Sequence, residues 1–308
     1  IELRPAHREF LGKLKDAGAI GIVAALLVTA TSAVMTRKYP QASGIALAHT
    51  VPFLTAASAL RLSQSHWDTA GWGWTGLGLL IGSLAVLALP KRYRISIAAP
   101  LVVGTVLAAT GLLVRLGQLS QAGISAILFA LVIVLLQVAP WIALAHIPVR
   151  ILDADTTEQI PAKGITDQVS TSFVFVVALR AGGAIAALFL SVALMTAPET
   201  RSISLPLTLI VLGAVSLVLQ TRSIRARVEV LLGALTGLIV ILVATVLGAY
   251  ADPRTMPWLT LSAIATALVL VITNVVGPRA RPHLTRIADT ISVLSLFVLL
   301  PLAVYLWS

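Results

Sequence analysis

Few residues in this sequence have the types and spacing that chemistry needs. The five histidines are His7, His49, His66, His146 and His283, and none pair at the i, i+4 spacing that lets one helix face hold a metal. There is no cysteine, which removes thiol nucleophiles, cysteine zinc sites, iron–sulfur clusters and disulfides together. No GxxxxGK(S/T) phosphate loop or dinucleotide fingerprint is present, and no GxSxG elbow accompanies the many serines. The sequence therefore offers no catalytic residue, cofactor site or metal site.

The ionisable groups that remain gather in one place. Arg150 to Gln168 carries Arg150, Asp153, Asp155, Glu158, Lys163 and Asp167 in a chain that is 11% charged. Pro148, Pro161 and Gly164 punctuate this run, so it reads as a loop rather than an uninterrupted helix. Most helix connections are about two to eight residues long, so this one is too long and too charged for a simple link. Its acidic half, Asp153, Asp155 and Glu158, suits a basic partner surface. A second charged cluster, Arg222, Arg225 and Arg227, forms a basic turn that could meet a partner or lipid headgroups.

What surrounds these clusters is apolar. The chain is 58% hydrophobic, with a mean hydropathy of +0.99, far beyond what a soluble domain of 308 residues can bury. Ten stretches of 17 to 24 residues stand out. They run over about 17–35, 42–60, 73–89, 95–114, 122–145, 181–197, 203–219, 228–250, 256–276 and 287–307. Each is near the ~20 residues a helix needs to cross the hydrocarbon core, and lipid cannot satisfy open strand edges. The expected fold is an all-α integral membrane protein. Its parts are a polar tail over 1–16, spans one to five within 17–148, a cytoplasmic loop with an amphipathic lead-in over 149–180, and spans six to ten within 181–308.

Charge sets the orientation. The loops after spans one, three, five, seven and nine hold Arg37, Lys38, Lys91, Arg92, Arg94, Arg150, Lys163, Arg222, Arg225, Arg227, Arg279, Arg281 and Arg286. The loops on the other side hold only Arg61, Arg115, Arg201 and Arg254. The basic set belongs in the cytoplasm by the positive-inside rule, which puts the C-terminus outside. This topology also accounts for the net charge of +10 without nucleic acid. The tail residues Arg4, Arg8, Lys13 and Lys15 disagree with an external start, so either the tail is an exception or an unseen segment separates part of it from span one. The chain lacks an initiator Met, as expected of a piece of a longer protein, and an even number of spans with an external start implies a further span upstream. Trp67, Trp72 and Trp74 read as an interfacial belt.

Polar groups within the spans are His49, Gln137 and Asn274, with Arg180 at the entrance of span six. His49 is expected to be a helix–helix hydrogen-bond donor, and Arg180 is expected to snorkel to the cytoplasmic interface. Gly78 with Gly82 and Gly233 with Gly237 form GxxxG patterns, which let helix backbones approach closely and are expected to pack within the molecule.

Four stretches then read together: SAVMTRKYPQASGIALAHTVPFLTAASAL, VAPWIALAHIPVRI, VLQTRSIRARVEV and the closing RIADTISVLSLFVLLPLAVYLWS. Their order resembles EccD, the multispanning membrane subunit of the type VII (ESX) secretion systems of mycobacteria and their relatives. The resemblance covers nearly the whole chain from about Ala17. It implies eleven spans in the full protein, behind a ubiquitin-like cytoplasmic domain. It also implies a non-catalytic scaffold in the cytoplasmic membrane, paired with a second copy and assembled around the ATPase EccC with EccB and EccE. No catalytic residues are carried over. From the residues alone, a secondary transporter with two five-helix halves is the alternative, although no matching broken helices or midplane carboxylates are visible.

Overall fold

Apolar runs in lipid must close their backbone hydrogen bonds within one segment, and the described apolar stretches do so as helices. The computed structural model describes residues 21–31, 42–63, 68–87, 97–117, 119–145, 162–199, 203–220, 227–275 and 281–307. All ten apolar stretches are helical there. The first four helices are α1 (Gly21–Thr31), α2 (Ala42–Leu62), α3 (Thr69–Leu87) and α4 (Ala98–Gly117). Then come α5 (Gln121–Ala145), α6 (Ala162–Met195), α7 (Ser204–Gln220) and α8 (Arg227–Ala251). A 3-10 turn at Pro253–Thr255, capped by the Asp252 carboxylate accepting from Arg254 N–H at 3.0 Å, leads into α9 (Met256–Val275) and α10 (Arg281–Trp307). No strand occurs among the described residues. This is an all-α, multi-pass membrane protein.

Hydroxyl side chains sit inside these apolar helices because they bond back to their own turn. Thr110 donates to Val106 O, Ser191 to Ala187 O and Thr245 to Ile241 O, each at 2.7–2.8 Å. Such i−4 bonds remove the cost of a bare hydroxyl in hydrocarbon.

Helix α6 departs from the sequence expectation. It begins 19 residues before the expected start of span six and runs for 34 residues. At ~1.5 Å per residue it is about 51 Å long, against ~30 Å of hydrocarbon. Its apolar part is Ser172–Met195, so 34 − 24 = 10 residues, Ala162 to Thr171, continue the helix beyond it. The reason is local. After Pro161 no proline follows to stop the helix, and Lys163, Asp167 and Arg180 mark polarity without breaking it.

Contacts divide the chain into two compact units, residues 1–119 and 120–308. In the first, α3 is the central helix, packed along both α2 and α4. Ala48, Val51, Val86 and Ile97 form a buried cluster there, with Val28 of α1 against it. In the second, α5 packs on α6, α10 and α7, while α8 packs on α6, α7 and α9. Phe129, Ile133, Leu190, Leu194, Leu209, Ile210, Ile241 and Leu299 fill its core. The polar stretch between Ala145 and Ala162 therefore separates α5 from α6 in sequence without separating them in space. The units hold four and six described helices, where the sequence expectation divides the spans five and five.

Candidate functional site

In the first unit the packing is built on missing side chains. A Cβ on Gly78 would lie 2.5 Å from Thr55 O and 2.6 Å from Ala56 Cα, and one on Gly82 would lie 2.6 Å from Pro52 Cα. The GxxxG pair of α3 therefore holds the backbone of α2. The close approach brings the Thr55 hydroxyl to 2.7 Å from Gly78 O, an interhelical hydrogen bond. Two residues before Gly78 lies Gly76, roughly 200° further round the helix. A Cβ there would be 2.7 Å from Ala108 Cα of α4. Gly73 and Gly111 also face each other across this second seam, where a Cβ on Gly111 would lie 2.5 Å from Thr69 O. Helix α3 thus carries one glycine face for each neighbour. The α4 seam goes beyond the GxxxG pattern; the spacing of Gly73 and Gly76 against Gly104 and Gly111 was the signal available for it.

In the second unit, Gly237 packs on α7, where a Cβ would lie 3.0 Å from Ala214 O. Gly233 instead lines a small void with Leu136, Arg180, Leu217, Leu232 and Thr236. This void corrects the expectation for Arg180. The guanidinium does not snorkel to an interface: Arg180 is 5% exposed, enclosed by α5, α6, α7 and α8. It lies eight residues into the apolar part of α6, about 12 Å along the helix. The sequence reading put the membrane entrance at residue 181; because α6 is helical and apolar from Ser172, Arg180 falls inside it.

The neighbouring polar groups join helices. Gln137 of α5 donates from Nε2 to the Ser216 hydroxyl of α7. Gln121, at the start of α5, donates from Nε2 to Ala193 O near the end of α6 at 2.8 Å, in a buried position. Ser216 carried no signal in sequence, since nothing distinguishes one serine in an apolar helix from another. His49 is half-buried on α2, and Asn274 lies on α9 with its side chain outside the described residues. The candidate cytoplasmic contacts Arg150, Asp153, Asp155, Glu158, Arg222 and Arg225 lie outside the described residues, and of Arg227 only its place at the start of α8 is described. No group of three or more metal-capable side chains occurs among the described residues.

Thr55, Gln121, Gln137 and Ser216 thus join one helix to another. The family profile described as the EccD-like transmembrane domain matches residues 10–308. No curated protein matches the chain. A solved chain described as "Structure of protomer 1 of the ESX-3 core complex" shares the fold with a TM-score of 0.67 at 18% identity, covering 100% of this chain and 77% of that one.

Proposed function

The chain belongs to the EccD-like transmembrane domain family, and from that premise we propose that it is a non-catalytic scaffold subunit of a type VII secretion membrane complex. The observation that carries this reading is the family match over residues 10–308. The geometry supports it. Thr55, Gln121, Gln137 and Ser216 use their polar atoms to bind neighbouring helices, so the spans work as a frame.

In this proposal the protein sits in the cytoplasmic membrane with its C-terminus in the periplasm. It pairs with a second copy and assembles with EccB, EccC and EccE, of which EccC is the ATPase. Asp153, Asp155 and Glu158, together with Arg150 and the basic turn at Arg222, Arg225 and Arg227, contact cytoplasmic parts of those partners. Charged contacts of this kind set which partner docks more than how tightly it does so.

The experiment is a triple reversal, Asp153→Lys, Asp155→Lys and Glu158→Lys, in the full-length protein. The variant should fold and insert normally while co-purification of the other subunits drops several-fold. Wild-type yield of the complex across a range of salt would refute the contact assignment. Purification of the native protein free of any secretion subunit would refute the scaffold itself.

A further inference from the structure

In the first unit, α1, α2 and α3 leave a cavity of about 480 Å³ between them, within the ~300–1,000 Å³ range of single-ligand sites. Its walls include Ala25 and Leu26 of α1, Val51 and Ala59 of α2, and Leu77 and Ile81 of α3. The few hydroxyls along it are turned away into the protein. Thr29 donates to Ala25 O at 2.7 Å, Thr55 lies 2.7 Å from Gly78 O, and Ser63 donates to Leu60 O at 2.8 Å. The wall thus offers little to a polar ligand, and water would forfeit hydrogen bonds by entering.

Length and polarity narrow the occupant further. On α2 the groove runs from Val51 to Ser63, twelve residues or about 18 Å. Half of the ~30 Å hydrocarbon core is ~15 Å, so the groove has about the length of one leaflet. One end carries markers of the membrane surface. Trp74 is 40% exposed there, and exposed Arg61 follows in the last turn of α2, beside the lining residues Leu62 and Ser63. The described carboxylate at this end, Asp68, accepts from Gly71 N–H at 2.8 Å and caps α3. Arg61 does not itself line the groove, but its exposed guanidinium is next in sequence to the lining residue Leu62 and carries donors that suit a phosphate.

We infer that this groove is a phospholipid-binding site, which seats one acyl chain between α1, α2 and α3 and sets the phosphate against Arg61. The inference rests on the chain's being a membrane protein and is independent of its role in secretion. A bound lipid here would stiffen the seam between α2 and α3 by filling what is otherwise a gap beside Gly78.

The test is retention of phosphatidylglycerol by the full-length protein after detergent washing, read by native mass spectrometry. Wild type should keep one lipid per chain. Ala59→Phe, which fills the groove, should lower retention at least tenfold, and Arg61→Gln should lower it several-fold with the groove intact. Equal retention by wild type and Ala59→Phe would overturn the site. If Ala59→Phe fails to fold, phospholipid brominated along its acyl chain serves instead. It should quench a share of the tryptophan fluorescence that is missing in Trp74→Phe, and identical quenching in the two proteins overturns the proposal. A single cysteine at Ile81 that cross-links to a second copy in native membranes would assign the groove to protein instead of lipid, and would also overturn it.

Discussion

Gly78→Ala is the most direct probe of how this protein is held together. The added Cβ would stand 2.5 Å from Thr55 O, 2.6 Å from Ala56 Cα and 2.8 Å from Thr55 C. All three are backbone atoms, so no rotamer change relieves them. Ordinary carbon contacts lie at ~3.5–4.0 Å, and the shortfall of about 1 Å must come from moving α3 off α2. Overpacking of this kind costs ~1–3 kcal/mol. The separation also stretches the Thr55–Gly78 bond, and interhelical hydrogen bonds in membranes average ~0.6 kcal/mol with a maximum near 1.7. Against this, alanine is the better helix former by up to about 1 kcal/mol. The net expectation is a loss of roughly 1–3 kcal/mol. At ~2–4 °C per kcal/mol this lowers the melting temperature in detergent by roughly 2–12 °C. Thr55→Val keeps the shape and removes the hydroxyl, so it should cost about 0.6–1.7 kcal/mol. Combined with Gly78→Ala it should add less than its own effect, because the first substitution has already parted the helices. Thermal unfolding followed by size-exclusion chromatography reads all four proteins. A Gly78→Ala protein that melts at or above the parent would refute the close-packed seam.

Three further outcomes follow from the second unit and α6. A single cysteine at Arg180, in a chain with none of its own, should resist membrane-impermeant maleimide from either side, whereas rapid labelling would return the residue to an interface. Gln137→Leu and Ser216→Ala should couple in a double-mutant cycle by about 0.6 kcal/mol and no more than about 1.7, measured as shifts in detergent unfolding; strict additivity would mean that the bond contributes nothing. Ser170→Pro falls inside the helical extension of α6 and should cost ~3 kcal/mol or more where an ordinary loop would tolerate it, so an unchanged melting temperature would mean that the extension is not helical in the membrane.

Membrane class, the all-α fold and the ten apolar helices, six of them long and apolar enough to cross a membrane among the described residues, were legible in the sequence, because hydropathy is a local property and lipid admits little but helices to such runs. Family membership was legible for a related reason: the order of apolar blocks and charged punctuation survives without any single decisive motif. Pairing was not legible. In lipid the helix faces are uniformly apolar, so no buried stripe points to a partner. The five glycines of α3 lie on more than one face, and only the tertiary contacts assign Gly78 and Gly82 to α2 but Gly73 and Gly76 to α4. Arg180 was misjudged because its burial depends on α5, α7 and α8, which lie far from it in sequence. Helix α6 runs past the apolar stretch because polarity is not a boundary: a helix ends where its hydrogen bonds end. The sequence determined which segments enter the membrane; the tertiary structure decided which faces meet there, since contact between similar apolar helices turns on shape and on single polar atoms brought within reach.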